Sequence, residues 1–590
     1  MKKLFYMIAL IASSVMMAGC EDFLDSENYT GSNTGNFPAN ADDAEKMLTA
    51  VYATLNHAVA KPQSTYFYVS ELACDDRLGG GGVNDKYSQA VGHLMYAEDN
   101  QFDDFWTIRY RGIFRANSAI EGLIANEASF SDAELFNQYL GEAYFLRAFF
   151  YHELAEMFGP VPLITSTAQE TNVPRADIDE IYAQIAFDLK QAINLMSNKK
   201  YNEFVEAGHA TKWAAEALMA RVFLFYTGFY GKEALPLRGE DGSLSASVTK
   251  AEVIDWIDDC VDNSGHDLLG DYRNLWPYTN EFTVDDYDYT KDAVGEDGNP
   301  LKWGGNGNEE TVFAIKFCNY AGWSGSYQMG YRNGYILYFG LYADNGGEST
   351  FPFGQGWAQG PVTTTIWSEW QQEEPDDMRR QASILNVADE LPGYVYLENS
   401  MEDCGLWNKK MIPILAKEAL EKEGDWSKSL FWCAYDDYDR SNNNNSMQGA
   451  HYQDLICIRF ADVLLMQSEL KQDVSGINRV RARAGLPPVG GYSLEALQKE
   501  RRHELCFEGR RWADIRRWGI AEQELADKNG ILMYNAGKQV RMTDGKYVSR
   551  YQATKGFFPI PKAQIDLSAG VLTQNEGWND ADAYYSSWNF

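Results

Sequence analysis

Three observations predict a mainly α fold in which helical hairpins pack side by side as a scaffold for one loop-rich, aromatic region. Apolar residues recur at helical spacing between residues 41 and 227 and again from 455 to 518. Between residues 281 and 447 that period fades, and Gly, Asn, Asp and aromatics take over, as in loops laid on a rigid frame. Near the carboxyl end, Glu500 to Gly519 (ERRHELCFEGRRWADIRRWG) holds ten charges in twenty residues, yet Leu505, Trp512, Ile515 and Trp518 can still share one buried stripe.

Met1 to Cys20 (MKKLFYMIALIASSVMMAGC) opens with two lysines, continues as an apolar run and ends in small residues before a cysteine. The run is too short to span a bilayer and reads as a secretory signal over residues 1–19. Met17-Ala18-Gly19-Cys20 is the pattern of a lipidation site at Cys20, and several acyl chains there would anchor the protein stably. Residues 20–40 are rich in Ser, Thr, Asn and Gly, with little to bury, and read as a tether. Residues 41–590 are expected to form one domain: a helical scaffold (41–280), a loop-rich ligand region (281–450), and C-terminal helices with a strap (451–590).

From Cys20 onward the chain has 49 basic and 85 acidic residues, a net charge of -36, two more negative than the full chain because Lys2 and Lys3 are gone. That disfavours nucleic acid and strongly anionic polymers as partners. Seven further cysteines lie scattered without any Cys-x-x-Cys, so neither a disulfide framework nor a thiolate metal site is implied.

The first helix is expected from Ala41 to Asn56, with Ala44, Met47, Leu48, Val51, Tyr52 and Leu55 on one face and Asp42 and Asp43 in its first turn. The run Gly79 to Gly82 is followed by Val83-Asn84-Asp85 rather than the Lys-Ser or Lys-Thr of a phosphate loop, and reads as a flexible surface loop. Phe102 to Ile124 should be helical, with Trp106, Tyr110, Ile113, Phe114, Asn117, Ile120 and Ile124 inward. Tyr139 to Phe158 is apolar nearly all round, so it should lie between other helices until Gly159-Pro160 ends it. Ile178 to Met196 and Ala210 to Thr227 follow. Leu140-Gly141-x-x-Tyr144 is similar to the start of a tetratricopeptide unit, although strict repeats are not shown.

Cys318 to Gly360 is the densest aromatic stretch: Tyr320, Trp323, Tyr327, Tyr331, Tyr335, Tyr338, Tyr342 and Trp357 alternate with Gly, Ser and Asn. Sugar rings offer flat C–H faces and hydroxyl rims, so their binding calls for exposed aromatic planes beside short polar side chains. Trp323, Tyr327, Tyr331, Tyr335 and Trp357 are the expected platform. Asp76, Arg77, Asn84 and Tyr87, from the Asp75 to Tyr87 loop, are the expected hydrogen-bonding partners. Asp286-Tyr-Asp288-Tyr-Thr290 and Asp437-Tyr-Asp439-Arg-Ser441 begin like calcium loops but lack the glycine and glutamate that complete one, so structural calcium stays open.

Helices are expected again over Leu455 to Leu470, Gly476 to Ala484 and Leu494 to Trp518. Within the last, Arg501 with Glu504, Glu508 with Arg511, Arg510 with Asp514 and Asp514 with Arg517 stand three or four residues apart, so that helix could neutralise itself. A Glu-Arg-Arg start, Phe-Glu-Gly-x-Arg-Trp and Asp-x-x-Arg-Trp-Gly in that order resemble the C-terminal signature of the SusD/RagB family, surface glycan-binding lipoproteins of Bacteroidota. FLRAFFYHELAEMFGPVPLI, ATKWAAEALMARVFLFYTGFYG, IRFADVLLMQSEL with INRVRARAGL, and Gly556 to Pro561 also resemble that family. The resemblance implies a scaffold of tetratricopeptide-like pairs, an extended C-terminal strap, and structural roles for Arg459, Asp462 and Glu469. It further implies export to the outer surface, where Glu21 and Asp22 follow Cys20, and a partner in a SusC-like TonB-dependent transporter on which the protein sits as a lid.

Catalytic patterns are sought without success. His152-Glu153 and His503-Glu504 begin like a zinc-protease motif, but Glu156 and Phe507 stand where the second histidine belongs. Gly322-Trp-Ser324-Gly-Ser326 misses the nucleophile elbow by its last residue. The expected function is capture of oligo- or polysaccharide at the cell outer membrane without catalysis. The alternatives are peptide capture, a secreted glycosidase, or a purely structural helical scaffold.

Overall fold

The computed structural model describes residues 37–203, 208–318, 332–342, 349–415 and 451–588. Its first half is a stack of helices: α1 (Ala41–Val59), α2 (Tyr66–Ala73), α3 (Lys86–Gly92), α4 (Asp103–Ala125), α5 (Ala133–Phe158), α6 (Ile178–Leu195), α7 (Lys212–Tyr230) and α8 (Lys250–Asn263). α1 packs on α4, and from there each long helix packs on the next, α4 on α5, α5 on α6, α6 on α7 and α7 on α8. α5 is the central member, buried from Gln138 to Phe158, as its continuous apolar run requires. Asp132 caps its start by accepting from the Glu134 and Leu135 amides, and Gly159, at φ 70°, ends it.

α4 departs from expectation on one face. Phe114 and Ile124 are more than half exposed, because α1 and α5 cover only the side that carries Ile113, Asn117 and Ile120. Phe114 instead borders an open hollow of about 450 Å³ with Trp106, Tyr110, Leu567 and Leu572.

Strands are short and come in antiparallel pairs. β1 (Leu235–Leu237) pairs with β2 (Ala246–Val248), β3 (Thr311–Ile315) with β6 (Leu455–Arg459), β4 (Ile384–Asn386) with β5 (Leu406–Asn408), and β7 (Leu532–Asn535) with β8 (Lys538–Arg541). β6 corrects the sequence reading: Leu455 to Arg459 is a strand, and helix begins only at Phe460. Its β-branched residues Ile456 and Ile458 suit the pleat that β3 offers. Among the described residues the loop-rich region contributes the helices α9 (Gly334–Phe339), α10 (Thr364–Glu373), α11 (Arg379–Ser383) and α12 (Val387–Glu390).

The carboxyl part contains α13 (Phe460–Lys471), α14 (Ser475–Arg483), α15 (Leu494–Leu505) and α16 (Arg511–Arg517). The expected single helix over Leu494 to Trp518 is therefore two, broken where Phe507 and Gly509 adopt φ 63° and 71°. The break redirects the charges. Of the four local pairs, only Asp514 with Arg517 forms as an ion pair, at 2.8 Å. Arg501 reaches Asp462 at 2.7 Å and Asp514 at 2.9 Å; Arg502 reaches Asp76 at 2.6 Å and Glu369 at 2.7 Å. Arg511 holds Asp75 at 2.8 Å, and Glu504 is shared by Arg379, Arg459 and Arg483. Arg459 also pairs with Glu508 at 2.9 Å, and Arg517 with Glu469. Buried arginine forks thus tie the two helices to distant segments.

The strap runs on from there. The Phe558 amide donates to Met157 O, and Asn575 Nδ2 donates to both Phe158 O and Phe558 O, which lays the Pro-rich stretch along the end of α5. One buried core joins residues from Ala44 to Ala583. No helix among the described residues is long and apolar enough to cross a membrane.

Candidate functional site

Glu71 to Gly82 is buried throughout, although it carries the acids, the arginine and the glycines from which a mobile loop is expected. Arg77 explains the start of this. Its guanidinium donates to Glu71 at 2.6 Å and to Gly360 O at 2.8 Å, and lies over the Phe339 ring at 4.1 Å. Asp76 is held by Arg502, and Asp75 by Arg511. Burial works against both charges, but Arg511 and Arg502 outweigh it at Asp75 and keep its carboxyl well below the usual range. Asp76 and Arg77 are thus posts beneath the loop and offer a ligand no surface, which corrects their assignment as contacts.

The glycines are sites of close approach rather than of freedom. The Gly80 amide donates to Glu402 Oε2 at 2.9 Å, and Gly81 N donates to Ala358 O at 2.5 Å. At Gly80, with φ 64°, a Cβ would lie 2.3 Å from Pro361 Cδ; at Gly79 it would lie 2.5 Å from the Gln89 backbone. Burial works against the Glu402 charge, but His93, at 3.0 Å, and the Gly80 amide outweigh it and hold that carboxyl below its ordinary value. Gln89 Nε2 donates to Gly82 O at 2.9 Å, and Val83 N donates to Asn399 O at 3.1 Å. The loop is clamped between two strips of the loop-rich region, residues 358–362 and 399–402.

What this clamp presents is a polar and aromatic rim. Val83 and Asn84 are exposed at its tip, beside exposed Asn399. Tyr342 is half-buried with its hydroxyl against Gly82, 3.2 Å from where a Cβ would be. Trp357 is half-buried, packed on Tyr338 with ring centres 4.6 Å apart, and followed directly by the Ala358 that receives the Gly81 amide. Tyr87 faces another way, half-buried in a cluster with Ala90, Met95, Tyr585 and Trp588, where burial and the nearby Glu98 push its hydroxyl pKa up.

Of the expected platform, Tyr335 is a correction. It is 2% exposed, its hydroxyl bonded to Thr65 at 2.6 Å and its ring packed on Phe67, because α9 turns it into the core. Trp323, Tyr327 and Tyr331 lie outside the described residues, as do Cys20 and the Asp437 to Ser441 loop. Tyr342 belongs to the aromatic stretch but not to the expected platform, and nothing in the sequence marks Asn399. The aromatic density around Tyr342 was a usable signal, whereas Asn399 becomes visible only through its pairing with the glycine loop. Asp286 and Asp288 are exposed, and no third acid or imidazole gathers with them among the described residues.

Two family models match the chain: one described as "Starch-binding associating with outer membrane" over residues 22–224, and one described as the SusD family over residues 369–578. The chain belongs to the SusD/RagB family. A SusD-like protein P2 of Formosa agariphila is 24% identical over 614 residues, covering 98% of this chain and all of that one. A SusD-like protein of Bacteroides ovatus is 23% identical, covering 75% of this chain and 71% of its own length. Among solved structures, a laminarin-binding SusD-like protein superimposes with a TM-score of 0.64 at 22% identity, covering 91% of this chain and 99% of its own. Surface glycan-binding protein A from Bacteroides thetaiotaomicron, solved with laminarihexaose, gives the same TM-score at 17% identity and the same coverage. These likenesses place the chain in the SusD fold, and the helical stack is its tetratricopeptide-like scaffold.

Proposed function

We propose that this SusD/RagB protein captures a neutral oligo- or polysaccharide at the cell surface and delivers it, without chemistry of its own, to a SusC-like TonB-dependent transporter. The observation that carries the reading is the clamped rim: a tightly tied loop carries exposed Asn84 at its tip, with Asn399 and the Tyr342 hydroxyl against Gly82 and half-buried Trp357 next in the chain to the Ala358 that takes the Gly81 amide. Pre-organised planes and short amides bind a sugar without first having to be ordered, which lowers the entropic cost of capture. Trp323, Tyr327 and Tyr331 supply further stacking planes on this reading. Cys20 carries the lipid that holds the protein to the outer membrane, and residues 20–40 give it reach. The names of the solved relatives, one laminarin-binding and one holding laminarihexaose, support a glycan as the ligand class.

Isothermal titration of the lipid-free chain against a panel of neutral and acidic polysaccharides tests this. Binding of a neutral polymer should weaken about fivefold in Trp357→Ala, since stacking is worth ~1 kcal/mol per ring, and Asn84→Ala should also weaken it. Binding of peptide pools but no glycan, or release of reducing sugar over many hours, would overturn the proposal.

A further inference from the structure

α4 leaves one of its faces bare. Phe114 is 53% exposed and Leu567 78%, and both border the hollow of about 450 Å³ that Trp106, Tyr110, Pro162 and Leu572 also line. Large apolar side chains around a concave surface of that size mark a place of docking. The rim of the hollow is basic, in a chain with 85 acidic and 51 basic residues. Arg111 stands four residues after Thr107 and three before Phe114, both in the lining, so it lies beside them on the helix surface. It is exposed and makes no ion pair among the described residues. Arg115, one turn further on, donates to Ala50 O at 2.7 Å and to no carboxylate among the described residues. Arg175, three residues after Asn172 of the lining, donates to Pro160 O, Thr573 O and Asn575 Oδ1, all of them uncharged. Burial, then Arg115 and Arg111, hold the nearby His57 imidazole below its ordinary value of 6.5, as uncompensated positive charge does. Asp104 and Asp566 are already paired with Lys61 and Lys562, and Asp103 accepts from Gln564.

We infer that the hollow is the docking site of residues 21–27 of this same chain (EDFLDSE), with Phe23 and Leu24 inserted beside Phe114 and Leu567 and the flanking acids against Arg111 and Arg115. Those seven residues lie outside the described ones, and their composition fits the hollow. Two adjacent large apolar residues stand between Asp22 and Asp25, with Glu21 and Glu27 outside them, and no Lys or Arg occurs from 20 to 40. A segment that served only as a solvated spacer would gain nothing from Phe-Leu at its centre. The chain is also delivered to the right place. It enters the described residues at Phe37, whose carbonyl oxygen, with Pro38 Cδ, stands against Gly122 of α4, 3.4 and 3.2 Å from where a Cβ would be. Gly122 is eight residues beyond Phe114, ~12 Å along the helix. The thirteen residues from Leu24 to Phe37 can span ~43 Å, so the segment reaches the hollow with slack. An occupant tied to the same chain is present at a high effective concentration, which a second copy must be supplied to match.

Docking changes what the tether does. Released, residues 20–40 give the body their full reach. Docked, they leave only the three steps from Cys20 to Phe23, ~10 Å at most, so a lipid on Cys20 holds the α4 side of the body against the bilayer. The docking itself needs neither the lipid nor the glycan reading, because it rests on the hollow, its arginines and the acidic Phe-Leu segment.

The test uses the lipid-free chain from residue 20, with Cys20→Ser and the photo-activatable substitution Phe23→p-benzoylphenylalanine. Irradiation should give cross-links within one molecule to Phe114, Leu567 or Leu572, located by peptide mass spectrometry. In chains without the photo-label, a glutamate-specific protease should cut after Glu27 about tenfold more slowly in the chain with Phe23, Leu24 and Arg111 intact than in Arg111→Glu or in Phe23→Ser with Leu24→Ser, since cleavage follows the undocked population. Asp22→Lys with Asp25→Lys should restore slow cleavage to Arg111→Glu. Arg111 is exposed with no ion pair to lose, so Arg111→Glu should fold and bind polysaccharide with unchanged affinity, which keeps this test apart from that of the glycan site. Cross-links scattered over the surface, or equal cleavage in all variants, would overturn the docking. Cross-links through the hollow between two molecules would overturn it in favour of a second copy as the occupant.

Discussion

Asp514 shows what the arginine-rich stretch does at the scale of one residue. Arg501 and Arg517 donate to its two oxygens, and Arg501 and Arg221 together hold Asp462 in the same buried group. Burial alone would raise both carboxyls, but the guanidiniums outweigh it and hold them below their ordinary value of 3.8. A folded pKa that is depressed contributes stability in full above the unfolded value and loses it as pH falls through the folded one. Asp514→Asn should therefore destabilise the chain by ~2 kcal/mol at pH 7, since two buried guanidiniums each lose one of two counter-charges, Arg501 keeping Asp462 and Arg517 keeping Glu469. Its urea midpoint should also fall less steeply than that of the unaltered chain below about pH 4. Urea melts followed by circular dichroism at pH 7 and pH 3 check both. An Asp514→Asn variant with an unchanged midpoint at pH 7 would mean that these pairs contribute no net stability.

At the scale of elements, α13 and α14 depend on one glycine. A Cβ at Gly476 would stand 2.0 Å from Leu464 O, and the Gly476 amide donates to Ser468 Oγ at 3.0 Å. Alanine is the better helix former by ~1 kcal/mol, but a carbon cannot sit 2.0 Å from a backbone oxygen, so the helices must part. Gly476→Ala should cost roughly 1 to 3 kcal/mol by analogy with overpacked cores, and a thermal melt should read it as a drop of about one to three degrees for a chain of this size. These helices were legible in the sequence because Leu464, Leu465, Ile477 and Val480 recur with the period of a helix. The break at Phe507 to Gly509 was not, because a periodic pattern continues through it and the left-handed backbone there is imposed by packing on Phe67 and Ser70. β6 is ambiguous in the sequence for a related reason: five apolar-rich residues fit either period, and only β3 decides between them. The aromatic region was legible as a place of function but not residue by residue. The alternation that marks Trp357 as half-exposed also fits Tyr335, which α9 turns inward.

Charge acts at the scale of the whole molecule. The buried arginines are matched by acids such as Glu504, Asp462, Asp514 and Asp75, so the large acidic excess of the chain resides chiefly on its surface. A neutral glycan does not feel that field, whereas an anionic polymer must approach against it. Screening over ~8 Å at physiological salt weakens the repulsion without cancelling it. Affinity for a neutral polysaccharide should therefore change less than about twofold between 50 and 500 mM sodium chloride, while a sulfated or uronate-rich polymer should gain affinity as salt rises. Titrations at the two salt concentrations separate the cases. Tight binding of an anionic polymer that weakens with salt would require a basic patch at the rim, and would move the ligand class from neutral to acidic glycans without disturbing the fold.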